Sequence, residues 1–553
     1  VIMYVFGLKK NDYIKSKFLT YFYRDRCYKS FIDDCNKYAN NRLPRIINQK
    51  MLSEIRSYQK NGFEIIILSA SFAEWIIPWA RKQKIQNIIG TQLEVVDGKI
   101  TGNVPINTLC YGKNKVKMLL EKVDIQNKNY FYAYGDSKAD QYFMNLADEA
   151  FYIKGKKILK IYPKNNVPVI VTDGLWRKSM SVIRSLGKKN VDITVLGDSI
   201  FTTGMWSRYT KRRYKFKTAK ESINDFDKGI RNVINSSINK PVIFAMEDAT
   251  MEWCMKNRKY VDENTFNLLP SIDSFNIAED KSLTLKKAME IGISCPKTFF
   301  PNNVFEVDEC IKKLDGADFV LKPYVGSGSS GIVYCNKRNL CDYKTHWEKY
   351  GPYLIQERIP KDGIGIGVSI IMDKQSNVVA YFSHKRLQQY PNSGGPSTSR
   401  TSFDDQELVE QSIKILKSLS WVGVAMVEWK ININTGKPVL MEINPRFWGS
   451  LELAVRSDVD FPYLYYQLAL GRNVEPVLKF KKGVICRWMI PGDILRFLSQ
   501  DKKKREPLKV FLNGSIRDSE EWDKTDKRGY FASIICQFLL SLNPKYWKYV
   551  RRK

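Results

Sequence analysis

The chain has 553 residues, 44% of them hydrophobic and 27% charged, with 89 Lys and Arg against 58 Asp and Glu for a formal charge of +31. Those totals describe a globular chain of about three or four compact units. The most apolar stretch, F-E-I-I-I-L-S-A-S-F-A-E-W-I-I-P-W-A, is broken by Glu64, Glu74 and Pro78 and has no signal-peptide layout, which argues against a spanning helix.

Ten cysteines are scattered without a C-x-x-C pair, and the histidines are His346 and His384 alone, so neither a zinc site nor a disulfide framework is suggested and a cytoplasmic location is expected. The positive excess predicts attraction to phosphates, anionic lipid or nucleic acid. A Lys-, Asn- and Ile-rich composition explains it equally well. Basic clusters such as T-K-R-R-Y-K-F-K at 210–217 come without a recognisable nucleic-acid module, so no specific nucleic acid partner is expected.

From residue 1 to about 160, helical patterns alternate with short apolar strands, as in a doubly wound α/β unit. F-E-I-I-I-L-S-A-S ends in small hydroxyl residues, Y-G-K-N-K-V-K-M follows, and N-Y-F-Y-A-Y-G-D-S-K-A-D closes the set. Ligands of parallel sheets sit at the carboxyl ends of strands, where Ser69 and Asp136 fall. A hydroxyl, a lysine and two carboxylates there could surround a phosphate and its magnesium. The alternative is an α/β unit with incidental acids at strand ends.

These three motifs resemble those of the haloacid-dehalogenase-like phosphatases, in the subgroup that includes phosphoserine phosphatase-like enzymes. The resemblance implies a Rossmann-like domain over 1–160, with Ser69, Lys115 and Asp136 catalytic and Asp136 and Asp140 on the metal. It also implies a D-x-D nucleophile after the first strand. None is present: Val1 to Leu8 is apolar, Asp12 has no aspartate two residues on, and Asp33-Asp34 falls in a helical pattern. An amino-terminal piece is therefore expected to be missing, and the chain as it stands is expected not to hydrolyse phosphomonoesters.

I-Y-P-K-N-N-V-P at 161–168 reads as a linker. Beyond it, V-P-V-I-V-T-D-G, V-D-I-T-V-L-G-D and P-V-I-F-A-M-E-D are strands of a second α/β unit, over 167–270, without a G-x-G-x-x-G. In F-V-L-K-P-Y-V-G-S-G-S-S-G-I-V-Y, Lys322 lies on a strand that enters a loop of Gly326, Ser327, Gly328, Ser329 and Gly331, whose backbone amides could cradle phosphates. Lys281 opens a helix in A-E-D-K-S, and Y-L-I-Q-E-R is a further strand. In V-L-M-E-I-N-P-R-F-W-G-S, strand alternation puts Glu442, Asn444 and Arg446 on one face. Oxygen donors two residues apart suit magnesium, and Glu428 is the single acid of the β-rich run W-V-G-V-A-M-V-E-W-K-I. A solvated strand edge is the plain alternative.

Together these residues resemble the ATP-grasp superfamily, in carboxylate-amine ligase-like members. The resemblance implies an α/β and α+β multidomain chain with a three-part ATP-grasp fold: a preceding domain at 167–270 and the ATP-grasp domain at 271–480. It implies ATP and two magnesium ions, with Lys281, Lys322 and the glycine loop on phosphates and Gln356 and Glu357 at the adenine. Glu428, Glu442 and Asn444 would hold metal, and Arg446 would stabilise the transferring phosphoryl group. An acid for the ribose is replaced by D-G-I-G-I-G-V-S. The acceptor carboxylate is expected at F-S-H-K-R-L-Q-Q-Y-P-N-S-G-G-P-S-T, through His384, Arg386, Gly394 and Gly395, with simple packing an equal alternative for His384.

Residues 481–553 read as a basic, aromatic extension ending N-P-K-Y-W-K-Y-V-R-R-K. A helix packed on the body with a solvated basic end is the preferred reading, beside peripheral contact at the inner membrane face. The expected function is ADP-forming ligation of a small carboxylate and an amine through an acyl phosphate. A bifunctional ligase-phosphatase and a nucleotide-binding scaffold at a membrane are the alternatives, and nothing in the sequence sets the oligomeric state.

Overall fold

The computed structural model describes residues 20–542 except 106–107, 124–130, 148, 156, 162–166, 238, 315–317, 327–330, 336–346, 348–350, 361, 392–394, 502–504 and 513–517. The chain divides into two compact units, 1–165 and 166–553. None of the described helices is long and apolar enough to cross a membrane.

In the first unit β1 (Ile66–Phe72) lies parallel to β2 (Asn87–Thr91). A second sheet pairs β3 (Tyr132–Gly135) parallel with β4 (Glu149–Lys154), which turns back antiparallel into β5 (Lys157–Ile161). The β-branched run before Ser69 suits a pleated, half-buried surface. Ile89, Cys110, Met118, Leu119, Ala133, Phe143 and Met144 form the core under α1 (Lys113–Lys122). Gly135 ends β3 where a Cβ would meet the Asp140 Cβ and the Met144 Sδ at 2.6 Å, so only glycine lets strand and following turn close together. The apolar Val1–Leu8 and Asp12 lie outside the described residues.

The second unit opens with a four-stranded, all-parallel sheet made of β6 (Val169–Val171), β7 (Ile193–Gly197), β8 (Thr210–Lys215) and β9 (Val242–Phe244). Its order is β8-β7-β6-β9, with α2 (Arg177–Gly187) crossing between the first two strands. The segment read only as a basic cluster thus forms the sheet's edge strand. Next, α3 (Lys281–Glu290) precedes an antiparallel sheet of β10 (Thr298–Phe299), β11 (Phe319–Pro323), β12 (Val333–Cys335) and β13 (Tyr353–Glu357), ordered β10-β13-β11-β12. A six-stranded antiparallel sheet follows: β14 (Gly365–Met372), β15 (Val378–Gln389), β16 (Ser397–Ser402), β17 (Gly423–Ile431), β18 (Pro438–Asn444) and β19 (Ile485–Arg487). Their order is β18-β17-β14-β15-β16-β19.

One core runs through the parallel sheet and the large antiparallel one, joining Val169, Ile193 and Phe244 to Ile371, Phe382, Trp448 and Tyr465. The residues after 481 are tied to both sheets. β19 extends the six-stranded sheet, and Glu520 pairs with the fully buried Arg400 and, at 2.9 Å, with Arg177 of α2. Asp526 receives Arg184 at 3.2 Å and Ser207 Oγ at 2.8 Å, and it caps α4 (Lys527–Ser541) by accepting from Gly529 N.

Candidate active sites

In the first unit a cavity is lined by Leu68 to Phe72, Trp75, Lys115, Tyr134 to Ser137, Asp140, Phe143 and Ile153. Ser69, Lys115, Asp136 and Asp140 therefore converge at the ends of β1 and β3. Lys115 is buried, donating to Asp140 Oδ1 at 2.6 Å and to the Leu68 carbonyl at 3.3 Å. The other Asp140 oxygen accepts from Ser137 Oγ at 2.7 Å and from the amides of Ser137 and Asp136 at 2.9 and 3.2 Å. Burial opposes ionisation of Asp140, but Lys115 and Ser137 outweigh it and hold the carboxyl below the usual range. Both its oxygens thus have partners inside the protein, Oδ1 on Lys115 and Oδ2 on Ser137 and the Asp136 amide. Asp136 is exposed at the mouth. Among the described lining residues the acids are Asp136 and Asp140.

In the second unit the floor is the face of the six-stranded sheet on which Glu442, Glu428, Gly367, His384 and Ser402 stand side by side across five strands. Glu428 is pushed above the usual carboxylate range, first by burial, against the pull of Arg386, and with Glu442 adding to the rise. Its Oε1 accepts from Asn444 Nδ2 at 3.1 Å and its Oε2 from Arg386. The roof carries the cations. Lys281, at the first turn of α3, sits 3.3 Å from Glu442 and donates to the Gly326 carbonyl. Lys322 on β11 is buried and donates to Gln356 Oε1 at 2.6 Å. Burial pulls the Lys322 ammonium down to about 8, partly opposed by Glu442. Lys281, Lys322, Gly326, Gln356, Glu357, Arg386, Glu428 and Glu442 line one cleft.

Several residues stand elsewhere than strand alternation or resemblance suggested. β18 ends at Asn444, so Arg446 leaves the strand face and is held by Asp248, Nε to Oδ1 at 2.5 Å and Nη2 to Oδ2 at 3.1 Å. Although burial disfavours its charge, Asp248 and Glu247 keep the guanidinium firmly protonated. Gln356 points inward between Lys322 and Thr298 Oγ1, and Glu357 Oε1 accepts from the Lys297 amide. His384 is 3% exposed, stacked on Phe382, with Nδ1 lacking a partner. Burial, with Arg400 and Arg386 nearby, drops it to about 3, so its imidazole is neutral. It underlies the floor, and no open surface is left for substrate. Gly395 closes its loop by donating to the Pro391 carbonyl at 2.9 Å. Gly331 has φ +76°, the left-handed region that favours glycine. Ser327, Gly328, Ser329 and Gly394 lie outside the described residues.

Sequence reasoning missed Asp248, Glu247 and Lys178, which cluster beside Arg446: Lys178 Nζ lies 2.7 Å from Glu247 and donates to the Phe447 carbonyl at 3.1 Å. The signal was present, since P-V-I-F-A-M-E-D carries its acids just past a parallel strand's carboxyl end.

The donors fit magnesium and a nucleotide. Two facing carboxylates and an amide are hard oxygen ligands, and the buried Lys281 and Lys322 leave positive charge opposite them. Among the described residues no group of three His, Cys, Asp or Glu side chains is disposed to hold a metal unaided. Phosphate oxygens would complete the coordination.

A family model described as haloacid dehalogenase-like hydrolase matches residues 14–145, and one described as ATP-grasp domain matches residues 278–450. The carbamoyl phosphate synthase large chain of Pseudomonas putida is 25% identical over 219 residues, 37% of this chain and 20% of that protein. This chain thus spans about a fifth of the length of that curated relative. Among solved structures, the biotin carboxylase domain of Hydrogenobacter thermophilus 2-oxoglutarate carboxylase, complexed with MgADP and bicarbonate, is 13% identical. It covers 58% of this chain and 74% of its own, with a TM-score of 0.49. Biotin carboxylase from Campylobacter jejuni, complexed with β,γ-ATP, is 16% identical over 58% of this chain and 74% of its own, with a TM-score of 0.48.

Proposed function

We propose that this chain, which carries a haloacid dehalogenase-like region over 14–145 and an ATP-grasp domain over 278–450, uses ATP to activate a small carboxylate and passes it to an amine or related nucleophile, releasing ADP. The observation that carries the reading is the facing of Glu428 and Glu442, with Asn444 beside them, against Lys281 and Lys322 across one cleft. Glu428, Glu442 and Asn444 would hold magnesium, which supplies charge neutralisation to the terminal phosphates. Lys281 and Lys322 take phosphate oxygens, and Gln356 keeps the Lys322 ammonium aimed.

The acceptor carboxylate oxygen attacks the terminal phosphorus as the bridging P–O bond to ADP breaks, giving an acyl phosphate. A nucleophile then attacks the acyl carbon and phosphate leaves, carrying the carboxylate's oxygen. The protein's part is to position and neutralise, so no protein nucleophile is required. Arg386, which pairs with Glu428 and lines the same cleft, would be the group to hold the acceptor carboxylate if Glu428 held magnesium.

In the first unit Ser69, Lys115, Asp136 and Asp140 line one cavity, and among its described lining residues the acids are Asp136 and Asp140. The test of the ligase reading is magnesium-dependent ADP release with pooled carboxylates, comparing wild type with Glu442→Ala/Asn444→Ala. Release by wild type, reduced at least about a hundredfold in the variant, supports it. Equal release by both contradicts it.

A further inference from the structure

The second unit carries a surface on which apolar and cationic groups meet. Gly529, Ser533 and Cys536 of α4 face the body, beside the turn Thr203–Trp206. On the opposite side Phe531, Ile535, Phe538 and Leu542 are 58%, 56%, 62% and 61% exposed. Their spacing of four, three and four residues stacks them on one stripe. A helix apolar all round belongs in an interior, and one face of this one is open.

The stripe continues onto the adjoining turn. Ile200, Phe201 and Trp206 are exposed there, and the guanidiniums of Arg213 and Arg528 each lie 5.6 Å from the Trp206 ring centroid. Beyond Trp206 runs the edge strand β8, whose Lys211, Arg212, Arg213 and Lys215 are all exposed. Lysines along an edge strand discourage pairing with another chain, which accounts for one or two cations. It does not account for their continuity with an apolar helix face.

We propose that this face docks the protein on an anionic lipid surface. The aliphatic and phenyl side chains of α4 enter the boundary of the acyl chains, Trp206 sits at headgroup depth between its two arginines, and β8 meets the lipid phosphates. Charge complementarity selects this occupant: the exposed cations on β8 carry one sign, and each contributes to attraction within a Debye length of an anionic bilayer. The docking proposed is peripheral, through side chains on one face of the second unit.

The test is co-sedimentation of the full chain with vesicles of phosphatidylcholine alone and of equimolar phosphatidylcholine and phosphatidylserine. Wild type should partition onto the anionic vesicles at least about tenfold more strongly, and salt should release it. Lys211→Glu/Arg212→Glu/Lys215→Glu should weaken that partition by roughly two orders of magnitude. Phe531→Ser/Ile535→Ser should weaken it by about tenfold or more. Unchanged circular dichroism and melting would show that both variants fold. Failure of wild type to bind anionic vesicles, or binding indifferent to both variants, overturns the proposal. So does self-association without lipid that Phe531→Ser/Ile535→Ser abolishes while vesicle binding persists.

Discussion

Lys322 combines burial with the phosphate contact proposed for it, and that combination should make the cleft sensitive to mild alkali. Its folded-state value of about 8 lies below that of a free lysine, so the charge that attracts phosphate disappears as pH rises through about 8. Nucleotide affinity should fall across that range in wild type and stay level in Lys322→Arg, whose guanidinium keeps its proton. Titrations that are flat for both proteins would remove Lys322 from phosphate binding. Arg386→Ala should raise the KM for the acceptor by about tenfold or more and leave the KM for ATP little changed, because the arginine is assigned to the carboxylate. An effect confined to ATP would reverse that assignment. At this scale the sequence was informative wherever alternation governs: E-I-N on β18 and the single acid of β17 face each other as the period of two requires. Partners brought in by tertiary folding were not legible. Asp248 lies 198 residues from Arg446, and nothing local to either predicts their pairing.

Strand β14 shows what an element contributes beyond its side chains. G-I-G-I-G leaves the floor bare between Glu428 and His384, and a Cβ on Gly367 would stand 2.5 Å from the His384 ring and 3.1 Å from Met426 Sδ. Gly367→Ala should cost about 1–3 kcal/mol in stability and displace the floor, read as a lower melting temperature with weaker nucleotide binding. A variant as stable and as tight as wild type would show that the crowding is relieved freely. The segment 519–526 is a second such element. Glu520→Ala strands the buried Arg400, and a loss of about 3–5 kcal/mol in denaturant unfolding is expected. Glu521 beside it is raised to about 7 by burial and by Glu520. For an acid whose folded value is raised, the contribution to stability is full below its unfolded value of about 4.3 and is lost as pH rises through about 7. Glu521→Gln should flatten the decline in melting temperature between about pH 4 and 7. The strands of the second α/β unit were readable from apolar runs, whereas this segment was not: its acids are isolated in sequence and acquire partners from distant elements, α2 and β16 among them.

At the scale of the whole molecule, the residues proposed for ligation lie entirely within 166–553, so a chain lacking 1–165 should keep the proposed ADP-forming activity, and loss of that activity in a folded deletion would assign the first unit a direct part. The central claim, that a carboxylate is phosphorylated and then displaced, is tested most directly by turnover with a pool of heavy-oxygen-labelled carboxylates and mass analysis of the phosphate released. Transfer of one labelled oxygen to each phosphate is predicted, because the acyl carbon–oxygen bond breaks in the second step. Release of ADP with unlabelled phosphate would mean that water takes the phosphoryl group, and the ligase account would fail.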